Sequence, residues 1–146
     1  MRRDEHGQVT LLIIGFAGIL LMAIVVVIDA SAAYLQRQGL DNLADGAALY
    51  GADLGAAGIY EEGLDEQRLL QQEAAVEAAV RHYLARADAG SRFPGIDVGV
   101  RIDPVGRSVT VRLSAPLDLP LTIPGSPSDP TVGASSTAAV TVVAPP

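Results

Sequence analysis

The sequence predicts an α+β protein: a long N-terminal helix, transmembrane at first and extended outward, then an amphipathic helix packed on a small antiparallel sheet. Three observations lead there. Val9 to Ile28 form an uncharged apolar run of 20 residues. Helical spacing of apolar residues continues beyond that run and returns after a glycine-rich break. The last third of the chain then switches to the period-two alternation of strands.

The first element follows from length and polarity. Within Val9 to Ile28 only Thr10, Gly15 and Gly18 interrupt the aliphatic character. At about 1.5 Å per residue the run reaches about 30 Å, the thickness of a bilayer hydrocarbon core. It lacks the polar stripe that a helix lying on a soluble domain would show. Arg2 and Arg3 precede the run and only Arg37 lies close after it, which favours a cytoplasmic N-terminus. The competing reading is a cleaved secretory signal, with Ala30-Ser31-Ala32 as a small-residue cleavage site. The apolar run is longer than the ~7 to 15 residues of a signal core, which favours a retained anchor. The expected layout is a cytoplasmic segment 1–8, a transmembrane helix 9–28, a helical extension 29–52 and an extracytoplasmic α+β head 53–146.

Past the span, Leu40, Leu43, Ala47 and Tyr50 keep helical spacing without a proline, so the helix is expected to run on to about Ala52. Ala32, Gly39 and Gly46 recur at intervals of seven on one face. Small residues there let another backbone approach closely, which makes them candidate helix-packing positions. The alternative is glycine tolerated at a cost of ~1 kcal/mol each. Asp53 to Gly63 reads as a loop. A second helix is expected over Asp65 to Ala87, with Leu69, Val76, Val80, Tyr83 and Leu84 along one stripe, Asp65 as cap and Gly90 as stop.

Ile96, Val98, Val100 and Ile102 alternate with polar residues, as do Val109, Val111 and Leu113, and Asp103-Pro104-Val105-Gly106 between them is turn chemistry. The pair predicts a hairpin. Five prolines from Pro116 to Pro130 leave room for a short edge strand around Leu119 to Ile123, and Val132 to Val143 reads as the last strand.

Composition excludes several functions. From Asp29 onward there are 15 acidic residues against 8 arginines, a poor match for nucleic acid or anionic lipid. The chain has no cysteine, so an exported domain must fold without disulfides. His6 and His82 are the only histidines, and neither a P-loop nor a Gly-x-Ser-x-Gly occurs. Ser135 and Ser136 read as strand residues. Asp41 with Asp45, and Glu61, Glu62, Asp65 and Glu66, lack the loop pattern of a calcium site and read as solvated acidic surface. The expectation is no enzyme, no catalytic, cofactor or metal residues, and no cofactor.

Gly7-Gln8-Val9-Thr10-Leu11-Leu12, the apolar span closed by Asp29, Tyr34-Leu35, and Leu40-Asp41-Asn42-Leu43-Ala44-Asp45-Gly46-Ala47-Ala48-Leu49 follow one another in the chain. This order resembles the N-terminal module of Tad (Flp) pilus-assembly proteins of the TadE/TadG type, over about residues 6 to 52. The resemblance marks Gly7, Asp29, Tyr34, Asn42 and Asp45 as family-motif residues. It implies a pilin-like layout and a membrane-anchored component of a pilus or related secretion machine. The implied partners are membrane lipid and other pilus-assembly proteins or pilins, with homo-oligomers through the N-terminal helix as a further route. A peptidase-processed pilin carries Glu five residues beyond its Gly, and this chain carries Leu12. The resemblance is thus to a TadG-like accessory more than to a polymerising pilin. Two other readings stand beside it: a membrane-tethered binding or sensing domain unrelated to pili, and a secreted enzyme beginning near Ala33.

Overall fold

The structure is a computed structural model that describes residues 5–59, 66–103, 107–121 and 129–139. Its elements in chain order are helix α1 (Glu5–Ile59), helix α2 (Glu66–Arg86), a short helix α3 (Ala89–Arg92), and strands β1 (Asp97–Asp103), β2 (Ser108–Pro116) and β3 (Thr131–Ala139). The α+β class is as the sequence predicts: a long apolar N-terminal helix and a small three-stranded antiparallel sheet.

Two compact units divide the chain. One holds residues up to Leu35 together with the loop that starts at Asp118; the other holds Gln36 to Leu117 and the residues from Pro127 onward. In the first unit, the span of α1 is exposed nearly all round, with Leu11, Leu12 and Met22 each more than 70% exposed.

The second unit has the hydrophobic core. Leu40, Leu43, Ala44, Ala47, Ala48 and Ala52 of α1 meet Val76, Val80 and Leu84 of α2 and Val109, Val111 and Leu113 of β2 in one buried cluster. The α1 side is built mainly of alanine, so its backbone can lie close to its neighbours. Even Gly51 leaves little room, since a methyl there would stand 3.0 Å from Val80 and 3.4 Å from Val109. The segment expected to be a loop from Asp53 is helical in its first part. Gly51, Gly55 and Gly58 lie within α1, which continues to Ile59 instead of breaking at Asp53. The remainder of that loop, with its acidic cluster and the Asp65 cap, lies outside the described residues.

Helix α2 ends at Arg86, and the chain turns at Asp88 rather than at Gly90. Asp88 adopts a left-handed backbone with φ 52°, a conformation that Asp tolerates better than most residues, and accepts a hydrogen bond from Ser91 Oγ at 2.7 Å. Gly90 instead lies within α3. Gly95, at φ 76°, turns the chain into β1 beneath Pro116.

The strand order is β1-β2-β3, both pairs antiparallel. The register sets Val100 opposite Val111 and Val111 opposite Ser136, so that Val109, Val111, Leu113 and Ala115 of the central strand are buried on one face. The other face carries Thr110 and Thr137, whose hydroxyls pair at 2.8 Å. The turn expected at Pro104 to Gly106 lies outside the described residues. Beyond Pro116 the ladder adds one rung, the Leu117 N–H to the Pro130 carbonyl at 2.7 Å. Residues 117 to 121 then leave strand geometry where a short edge strand was expected, because Pro120 has no N–H to give a ladder. Gln36 Nε2 donates to the Pro116 carbonyl at 2.7 Å and so satisfies the end of β2.

Leu113 is 2% exposed at the centre of this core. Leu113→Ala is expected to destabilise the fold by about 2–5 kcal/mol, read as a lower denaturation midpoint of the detergent-solubilised protein.

Candidate functional site on helix α1

The chemistry-bearing residues singled out in the sequence fall on α1, and the structure sorts them into three environments. Gly7 lies in its first turns. Asp29 follows directly on the last residue of the apolar span and is half-buried. Its Oδ1 accepts a hydrogen bond from the backbone N–H of Leu121 at 3.2 Å. The carboxylate therefore does more than mark the end of the span, since it holds a loop that is 92 residues away in sequence. Two residues further, Ser31 turns its hydroxyl back onto the Val27 carbonyl at 2.7 Å, the usual way for a helical serine to satisfy itself locally.

The small residues form the second group. Ala32 is half-buried in the first unit. Gly39 faces the ring of Phe93, whose Cζ would lie 2.8 Å from an added methyl. Gly46 faces Tyr83 of α2, and a methyl there would overlap the phenol oxygen. Tyr83 also meets Tyr50, with ring centroids 5.8 Å apart. The close approach that Gly39 and Gly46 permit is thus taken up by aromatic rings of the same chain. Phe93, which the helical pattern does not flag, is the residue that fills the space over Gly39, and it is buried.

Tyr34, Asn42 and Asp45 make the third group and are exposed. At 3.6 residues per turn, Tyr34, Asn42, Asp45 and Leu49 lie within about 80° of arc on α1. Tyr34, Leu35 and Leu49 are each more than 60% exposed, so this stripe mixes apolar and polar groups in the open. Next to it, Arg37 and Asp41 approach at 3.9 Å in a solvated pair of little energetic weight. Among the described residues no polar or charged side chain is buried, and no three of His, Cys, Asp or Glu come together as a metal site would need. Asp41 and Asp45 lie on the helix surface, and Ser135 and Ser136 lie in β3.

A helix long and apolar enough by length and composition to cross a membrane, followed by a small α+β unit, defines a class of protein with, among the described residues, one candidate anchor near its N-terminus. Residues 7–54 match the family described as putative Flp pilus-assembly TadE/G-like, a description that spans the TadE and TadG types together. No curated protein and no solved structure matches the chain. The family match supports a pilus-related role, and it ends inside α1, so it carries the helix and not the sheet.

Exposure separates these residues experimentally. Asn42→Ala and Asp45→Ala are expected to change stability by no more than about 0.5 kcal/mol, as for other exposed sites. Gly39→Ala is expected to cost about 1–3 kcal/mol through overpacking against Phe93. Adding Phe93→Leu should recover part of that loss in a double-mutant cycle, and strict additivity would rule out the contact as its cause.

Proposed function

We infer that the protein is a non-enzymatic, membrane-anchored component of a Tad/Flp-type pilus assembly or secretion machine, acting through helix–helix and head-domain contacts. The observation that carries this reading is the family match over residues 7–54, which coincides with the helix whose apolar half is exposed on all sides. In this reading residues 1–8 stay in the cytoplasm, 9–28 cross the membrane, 29–52 extend beyond it, and 53–146 form the extracytoplasmic head. The arginine pair Arg2 and Arg3 supports that orientation.

The contacts are assigned as follows. The apolar span meets lipid and the spans of pilins or inner-membrane partners, where small residues such as Gly15 and Gly18 leave open space beside the helix. Beyond the span, Tyr34, Asn42, Asp45 and Leu49 form the stripe offered to partner proteins, since Gly39 and Gly46 already face rings of the same chain. Leu12 in place of the pilin Glu supports an accessory of the TadG kind. A buried carboxylate in a filament would need a cationic partner, and Leu12 makes no such demand.

A photo-crosslinker placed at Tyr34 or Asp45 in intact cells is expected to capture other Tad pilus components, identified by mass spectrometry. The pair Tyr34→Ala and Asp45→Arg should reduce pilus formation while the protein stays folded and in the membrane fraction. Unchanged piliation, with no pilus component among the adducts, would sink the assignment.

A further inference from the structure

We propose that the loop carrying Leu119 and Leu121 is a second membrane contact, resting in the interfacial lipid beside the end of the span and held there by Asp29. The proposal rests on the reading of α1 as a membrane anchor. It adds a lipid-facing surface from a part of the chain that the family match does not reach.

The geometry starts at Asp29. Its carboxylate accepts the Leu121 N–H, so the backbone of Leu121 lies at the level where the apolar span stops. Side chains on a helix lean toward its N-terminus, which sets the Asp29 acceptor over the turn holding Val25 and Val26. Val25, one turn before Asp29 on the same face, is also the one residue from Gln8 to Ile28 that is not exposed. The loop from Asp118 belongs to the same compact unit as this part of α1. Together these observations put the loop alongside the last turn of the span.

The loop's own chemistry suits that position. Leu121 remains 38% exposed, and Val26, Val27 and Ile28 at the end of the span are exposed as well, so both the loop and the end of the anchor offer apolar groups to lipid. Non-helical backbone near lipid is costly when its N–H groups lack partners. Pro120 has no N–H, and the Leu121 N–H is taken by Asp29, so two successive positions present no free donor. A hydrogen bond to a carboxylate is also among the stronger ones, and it supplies part of the solvation that the charge loses near the bilayer. Asp29 thus positions the loop, and the lipid interface is its partner.

The natural chain has no cysteine, so single-cysteine variants of the full-length protein report one site at a time. Leu121→Cys, Leu21→Cys and Arg112→Cys would each carry an environment-sensitive fluorophore in phosphatidylcholine nanodiscs doped with nitroxide lipids. Lipids with the nitroxide near the headgroup are expected to quench the Leu121 site, and those with it deep in the chain the Leu21 site, while the Arg112 site stays unquenched. Adding Asp29→Ala should bring the Leu121 site down to the level of Arg112, and Asp29→Asn, which keeps an acceptor oxygen, should preserve its quenching. A Leu121 site as unquenched as Arg112 beside a quenched Leu21 site overturns the loop contact and leaves the anchor standing. An unquenched Leu21 site overturns both. Quenching at Leu121 that is indifferent to Asp29→Ala overturns the role given to Asp29.

Discussion

Everything in this protein is arranged around the fact that helix α1 serves two different surroundings with one backbone. In its first half an uncharged run exposes aliphatic side chains in every direction, and such a surface is stable only against lipid or other apolar helices. In its second half the same helix supplies Leu40, Leu43 and a row of alanines to a buried core. A helix satisfies its own backbone hydrogen bonds, so it can pass from one surrounding to the other without leaving polar groups unpaired. Only the side chains have to change, and they do so between Asp29 and Leu40.

That transition explains why small residues are concentrated where they are. The sheet has a single central strand, and the described part of the chain has few large apolar groups with which to build a core. Alanine and glycine on α1 let α2 and β2 come close enough for Val76, Val80, Val109 and Val111 to exclude water. The aromatic rings of Phe93 and Tyr83 lie over the remaining gaps at Gly39 and Gly46. The family pattern Asn-x-x-Asp-x-Ala-Ala-Leu thus combines two jobs on one helix. Ala47 and Ala48 are buried and serve the core, while Asn42, Asp45 and Leu49 are exposed.

Asp29 shows how one polar residue can serve both boundary and fold. A carboxylate at the end of an apolar run ends the stretch suited to hydrocarbon, and the hydrogen bond to Leu121 ties a distant loop to that same level.

The sequence by itself determined the long apolar helix, the second helix, the hairpin and the last strand, because each rests on a local period. Charge-free length marks Val9 to Ile28, and alternation marks Val98 to Ile102 and Val109 to Leu113. The likeness to TadE/G-like pilus-assembly proteins over residues 7–54 was legible as well, since it is written in the order of residues along one helix. Tertiary structure decided what no local period contains. Gly55 and Gly58 read as part of a loop, yet α1 runs through them to Ile59. Gly39 and Gly46 read as positions of close approach, and only the tertiary structure shows that the rings of Phe93 and Tyr83 lie over them. The partner of Asp29 was invisible as well, because a hydrogen bond across 92 residues leaves no spacing for a sequence to show.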